Sequence, residues 1–88
     1  MPAFIITRIQ VGDYEAWKAM FDADRPRARE DATSVRVFQN ADDSNHVFVF
    51  LEFASLEDAR ESRRRLVESG VLDRFEDKHG PNVLVEAQ

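Results

Sequence analysis

The sequence predicts an α+β domain of β-α-β-β-α-β order: a four-stranded antiparallel sheet with two helices on one face. Three observations predict it. Segments rich in β-branched and aromatic residues recur at 3–11, 34–39, 47–53 and 83–87. Stretches with apolar residues at helical spacing lie between the first and second of these and between the third and fourth. A polar hexapeptide, Asn-Ala-Asp-Asp-Ser-Asn at 40–45, separates the middle pair and predicts a hairpin, because such residues bond their own backbone.

Each element has its own grounds. The first strand, Ala-Phe-Ile-Ile-Thr-Arg-Ile-Gln-Val, ends at Gly12. Asp13 suits a helix N-cap, and Glu15 falls in the first turn, where the helix dipole favours an acid. Tyr14, Trp17 and Phe21 then share one helix face, and Pro26 stops or kinks the helix. Residues 27–31, Arg-Ala-Arg-Glu-Asp, form a charged exit. After the hairpin, Ser55 caps a second helix with Asp58 at the third position, as in a capping box. Its apolar stripe is Leu56, Ala59, Leu66 and Val67, and Gly70 is a natural residue just past its end. Residues 71–75 suit a short helical turn, 76–82 a loop, and 83–87 the last strand. This order is the ferredoxin-like split βαβ arrangement.

The chain has 88 residues, no cysteine and a net charge of −5. That length makes one domain, 1–88, with one modest core; such a chain buries only roughly 60–65% of its unfolded surface. Without disulfides, a partner subunit or a ligand is the usual source of extra stability. The acidic balance argues against nucleic acid, which selects basic faces. The single basic run, Arg63-Arg64-Arg65, is flanked by Glu57, Asp58, Glu61 and Glu68, and Glu61 precedes Arg65 by four residues, the favourable order for a helical ion pair. The run therefore reads as a solvated helix face. No apolar segment is long enough to span a membrane, and no signal peptide is evident, so the expected location is the cytoplasm.

The sheet's two faces differ in composition. One is aliphatic: Ile5, Ile9, Val35, Val37, Val47, Val49, Leu51, Val83 and Val85. The other mixes aromatics with charges: Phe4, Ile6, Arg8, Gln10, Arg36, Phe38, Phe48, Phe50, Glu52, Leu84 and Glu86. Helices cover the first. Phe4, Phe38, Phe48 and Phe50 would form a large apolar patch on the second, and a second copy of the same sheet is the simplest cover, giving a homodimer.

Two motifs carry a family resemblance. Asp-Tyr-Glu-Ala-Trp-Lys-Ala-Met-Phe-Asp (13–22) and Asp-Asp-Ser-Asn-His-Val-Phe-Val-Phe-Leu-Glu-Phe-Ala-Ser-Leu-Glu-Asp-Ala (42–59) resemble the dimeric α+β barrel superfamily, and within it small bacterial proteins grouped with antibiotic biosynthesis monooxygenases. The likeness covers nearly the whole chain. Ser44 departs from an expected Pro, and Ala32-Thr33-Ser34 stands where a Gly is common. The resemblance implies two sheets closing a barrel across a dimer and a ligand pocket in each subunit, between helices and sheet.

Candidate chemistry is sparse. Tyr14, Trp17, Met20 and Phe21 are able to wall a pocket for a flat ligand, or simply to be core. Arg36 is a candidate to orient such a ligand. His46 and His79, the only histidines, are weak candidates for moving protons, and both are expected in loops at strand starts. Glu76, Asp77 and His79 lack regular metal-ligand spacing, so no metal is expected, and no cofactor motif is present. Two functions remain open. One is a non-catalytic dimeric module binding a small hydrophobic or aromatic ligand. The other is a cofactor-independent monooxygenase, cyclase or isomerase acting on a small aromatic or polyketide-like compound.

Overall fold

A computed structural model describes residues 1–88 and follows the expected order. β1 (Ala3–Gln10), α1 (Tyr14–Ala23), β2 (Ala32–Asn40), β3 (Asp43–Phe53), α2 (Leu56–Glu68) and β4 (Lys78–Leu84) build one antiparallel sheet of order β2-β3-β1-β4. β3 and β1 are therefore the inner strands, and they carry the core. Along β1, buried Ala3, Ile5, Thr7 and Ile9 alternate with half-buried Phe4, Ile6, Arg8 and Gln10. Along β3, Val47, Val49, Leu51 and Phe53 are buried. The register matches these rows, with Ile5 opposite Leu51, Thr7 opposite Val49 and Ile9 opposite Val47. Strand geometry alone sends alternate side chains to opposite faces, so one register buries both rows together.

The helix ends follow local chemistry. The Asp13 carboxylate accepts from the backbone N–H groups of Glu15 and Ala16 at 3.0 and 3.4 Å, which starts α1. Asp24, left-handed at φ 44°, ends it two residues before Pro26. Ser55 Oγ accepts from the Asp58 N–H at 3.1 Å to start α2, and Gly70 (φ 72°) follows its end. α2 packs over β1, β3 and β4. Its inward stripe is Ala59, Ser62 and Leu66; the Ser62 hydroxyl donates to the carbonyl of Ala28. Leu56 and Val67, expected in that stripe, are exposed instead. Their positions fall on the flank of the helix that overhangs the β4 edge.

The hairpin and the last strand differ from expectation. β3 starts at Asp43, and only Ala41 and Asp42 remain as the turn. The polar residues between are used within the ladder. Asn45 Oδ1 accepts from Tyr14 N–H at 3.0 Å, its carbonyl from Val11 N–H at 2.8 Å, and its Nδ2 donates to Gly12, tying the strand to the start of α1. β4 runs Lys78–Leu84 rather than 83–87. Gly80 and Pro81 belong to it because β4 is an edge strand, where a missing N–H is tolerated, and because the ladder is bulged between Ile6 and Arg8. Gly80 sits at φ 91°, and a Cβ there would lie 2.6 Å from the Ile6 carbonyl oxygen. Only glycine fits this approach. His46 and His79 are accordingly strand residues, not loop residues.

Candidate functional site

Between α1, the segment that follows it and the helix-covered face of the sheet lies a cavity of about 60 Å³. The sheet contributes Thr7, Ile9, Val49 and Leu51; α1 contributes Trp17, Met20 and Phe21; and Leu66, Val71 and Leu72 close the far side. Asp13 sets the phase of α1, and that phase turns Trp17 inward until it is 4% exposed. Trp17 stacks on Phe21 with ring centroids 4.9 Å apart, and Tyr14 leans on Trp17 at 5.9 Å. Trp17 and Phe21 therefore share the cavity wall, while Tyr14 supports Trp17 without lining the space.

The polar groups of this cavity were not singled out in the sequence. Thr7 is 4% exposed and lines it. Every side-chain N or O fully sealed within the protein has a hydrogen-bond partner. The Thr7 hydroxyl forms no such bond, so its oxygen is not sealed, and the residue lines the cavity. Asp24 and Arg29 are the only ionised residues in the lining. The Asp24 carboxylate accepts from the backbone N–H groups of Ala28 and Arg29 at 3.1 and 3.0 Å, which folds residues 24–29 into a compact cap. The Arg29 guanidinium lies 3.8 Å over the Phe21 ring and donates to the Phe21 carbonyl. Its Nε stands 3.8 Å from Asp24 Oδ1, too far for a hydrogen bond. Thr7 looks like an ordinary mid-strand residue in the sequence; its phase with Ile5 and Ile9 was the available signal.

Arg36 and the two histidines lie on the opposite face. Arg36 pairs with Phe50 across the β2–β3 ladder, and its guanidinium sits 4.8 Å over Phe38. Phe38 and Phe50 meet edge to face at 5.3 Å and are 41% and 38% exposed. Phe4, Ser34, Arg36, Phe38, Phe50 and Glu52 surround a shallow depression on this bare face. Nearer the other end of the strands, Arg8 contacts His46 Nε2 at 3.2 Å and donates to Asp77 at 2.9 Å, and Gln10 donates to Asp43 at 3.1 Å. His79 lies opposite Arg8 in the β1–β4 ladder. The histidines thus sit apart from Trp17, and no group of three His, Asp or Glu residues is placed to hold a metal.

No family model matches the chain, and no curated protein matches it in sequence. Solved structures do share its fold. Rv0793 from Mycobacterium tuberculosis superposes with a TM-score of 0.70 at 21% identity, over 100% of this chain and 97% of that one. A protein provisionally assigned as an antibiotic biosynthesis monooxygenase from Nitrosomonas europaea gives 0.71 at 15% identity, over 94% and 88%. A mutant of SnoaB, a cofactor-independent oxygenase from Streptomyces nogalater, gives 0.72 at 14% identity, over 99% and 94%. The chain thus has a ferredoxin-like fold, shared with these structures. No helix is long and apolar enough to cross a membrane.

Proposed function

We propose that residues 1–88 form one domain of a homodimeric, cytoplasmic α+β barrel that binds a small hydrophobic or aromatic ligand in the cavity beneath α1. The observation that carries this reading is an apolar cavity with stacked Trp17 and Phe21 in its wall and an unpaired hydroxyl within it. At about 60 Å³ it is smaller than the roughly 150 Å³ that accommodates benzene in an engineered core, so a flat ligand would lift α1 or residues 24–29 to enter. The bare face supports the dimer, since exposed Phe38, Phe50 and Leu84 are covered most simply by a second copy.

A cofactor-independent monooxygenase is the second reading, favoured by the fold likeness to SnoaB. Such chemistry would draw on the substrate's own electrons, with the cavity holding and orienting it. Asp24 is the only carboxylate lining that space and both its oxygens already accept backbone bonds, which weighs toward binding over proton transfer.

Trp17 is the only tryptophan, so its fluorescence reports on this cavity alone. Flat aromatic acids or quinones should change it saturably and raise the melting temperature, by about 2.7 kcal/mol of added stability at a hundredfold excess over Kd. Oxygen uptake with the same compounds separates the two readings: binding without uptake supports the module, and uptake supports the enzyme. A panel with neither a Trp17 response nor a thermal shift returns Trp17 to the core.

A further inference from the structure

We infer that the cavity selects a small aromatic hydroxy-acid, its carboxylate held by Arg29 at the mouth and its hydroxyl by Thr7 on the sheet. This rests on the binding reading above and names the ligand chemistry. Two independent features of the lining point to it.

The first is Thr7. The residue is 4% exposed, and its hydroxyl has no protein partner yet is not sealed off, so a molecule in the cavity that excludes water from it must supply a polar atom in exchange. Around it the lining is apolar: Ile9, Val49, Leu51, Leu72 and Trp17. One polar atom of a bound molecule, able to donate or accept, would complete it. A ligand without that atom leaves Thr7 unpaired, and sites of this kind reject such analogues strongly.

The second is Arg29. Its side chain is only 17% exposed, and its guanidinium lies 3.8 Å over the Phe21 ring, which ties it to α1 at the edge of the cavity lining. One nitrogen donates to the Phe21 carbonyl, and the remaining donors are uncommitted. Asp24 forms a long ion pair with the guanidinium, Oδ1 3.8 Å from Nε, but makes no hydrogen bond to it, because its oxygens accept the N–H groups of Ala28 and Arg29. The other charges on this segment are engaged elsewhere or add to the cation. Arg27 pairs with Glu30, Glu30 also meets Arg65, Lys18 pairs with Asp22, and Arg25 forms no ion pair. A planar guanidinium with a rigid fork suits a carboxylate better than a neutral amide or an ammonium. Trp17 and Phe21 line the same space and supply its aromatic surface.

Three probes of similar shape test this by calorimetric titration: 4-hydroxybenzoate, 4-hydroxybenzamide and benzoate. The hydroxy-acid should bind best, with the amide about tenfold weaker for want of charge and benzoate about tenfold weaker for want of the hydroxyl. Arg29→Gln should erase the first difference and Thr7→Val the second, each leaving the other intact. The probe series on the parent protein decides the matter even where a variant fails to fold. Equal affinity for all three, or binding confined to neutral quinones, overturns this inference while leaving the cavity a binding site. Silence from the three probes together with silence from every flat compound at Trp17 removes the binding reading itself.

Discussion

Phe53 and Phe50 stand three residues apart on β3, and their surroundings are opposite. Phe53 is 0% exposed under the helices; Phe50 is 38% exposed on the bare face. The strand's alternation separates them, and the helices decide which row is core. The helix-covered face is assembled from aliphatic residues of two inner strands in matching register. The bare face gathers Phe, Arg and His side chains that touch one another but nothing above them. The first face supplies the stability of the chain. The second supplies apolar surface that remains available to another molecule.

The comparison breaks most visibly by truncation. Phe53→Ala should destabilise the folded chain by about 3–5 kcal/mol, read by denaturant unfolding, because a fully buried ring leaves a cavity behind. Phe50→Ala should cost far less in that measurement. Equal losses from the two would mean that the bare face is as tightly packed as the covered one, and the contrast between them would fail.

Association sharpens the same contrast. Phe50→Asp puts a charge in the middle of the proposed interface, beside Phe38 and across from Arg36 and Ile6. The dimer should weaken by at least about 2 kcal/mol, or roughly thirtyfold in Kd, with a smaller change in subunit stability. Glu57→Ala, on an exposed helix start, should leave association alone. Light scattering after gel filtration gives the mass directly, with twice 10.2 kDa expected for the parent. A parent that runs as a stable monomer at micromolar concentration leaves the bare face without its proposed cover.

The two faces were not equally readable in the sequence. Strand alternation separates Ile5, Ile9, Val49 and Leu51 from Phe4, Phe48 and Phe50 without any tertiary knowledge, and caps at Asp13 and Ser55 fix both helix starts. What alternation does not carry is how far the helices reach. Val35 shares the phase of Val37 but is 42% exposed, because β2 is an edge strand beyond the helix layer. Polar composition misled in two places. Asp43–His46 and Lys78–Asn82 have loop-like sequences, and both are strand. The first is paired on both sides, to β1 and β2; the second is paired to β1 and bulged at Gly80. The cavity was legible through Trp17 and Phe21, which share a helix face. Arg36 faces the other way because its neighbours Val35 and Val37 carry the opposite phase. Thr7 and Arg29 escaped notice because neither residue type signals a site until the fold brings them to one space.

The smallest expected effect lies outside both faces, on the solvent side of α2. Arg64 donates to Glu61 at 2.6 and 2.7 Å, and Arg65 adds a contact at 3.3 Å. The Arg64 hydrogen bond, helped by the charges of Arg64 and Arg65, pulls the Glu61 carboxyl from its ordinary 4.5 down to about 2. A depressed acid favours the folded state when ionised. Its contribution is therefore fully present above pH 4.5 and is lost as pH falls toward 2. Exposed pairs of this kind are screened by water and salt, so the effect on melting temperature should be slight and should shrink further in high salt. Glu61→Gln lacks the ionisation. It should melt slightly below the parent at pH 7 and converge on it near pH 2, while Glu30 and Asp43, also held below their usual values by Arg27 and by the Asn45 N–H respectively, keep the remaining acid slope in both proteins. A gap between parent and variant that stays constant from pH 7 to pH 2 would show that Glu61 acts by packing along α2 and not by its charge.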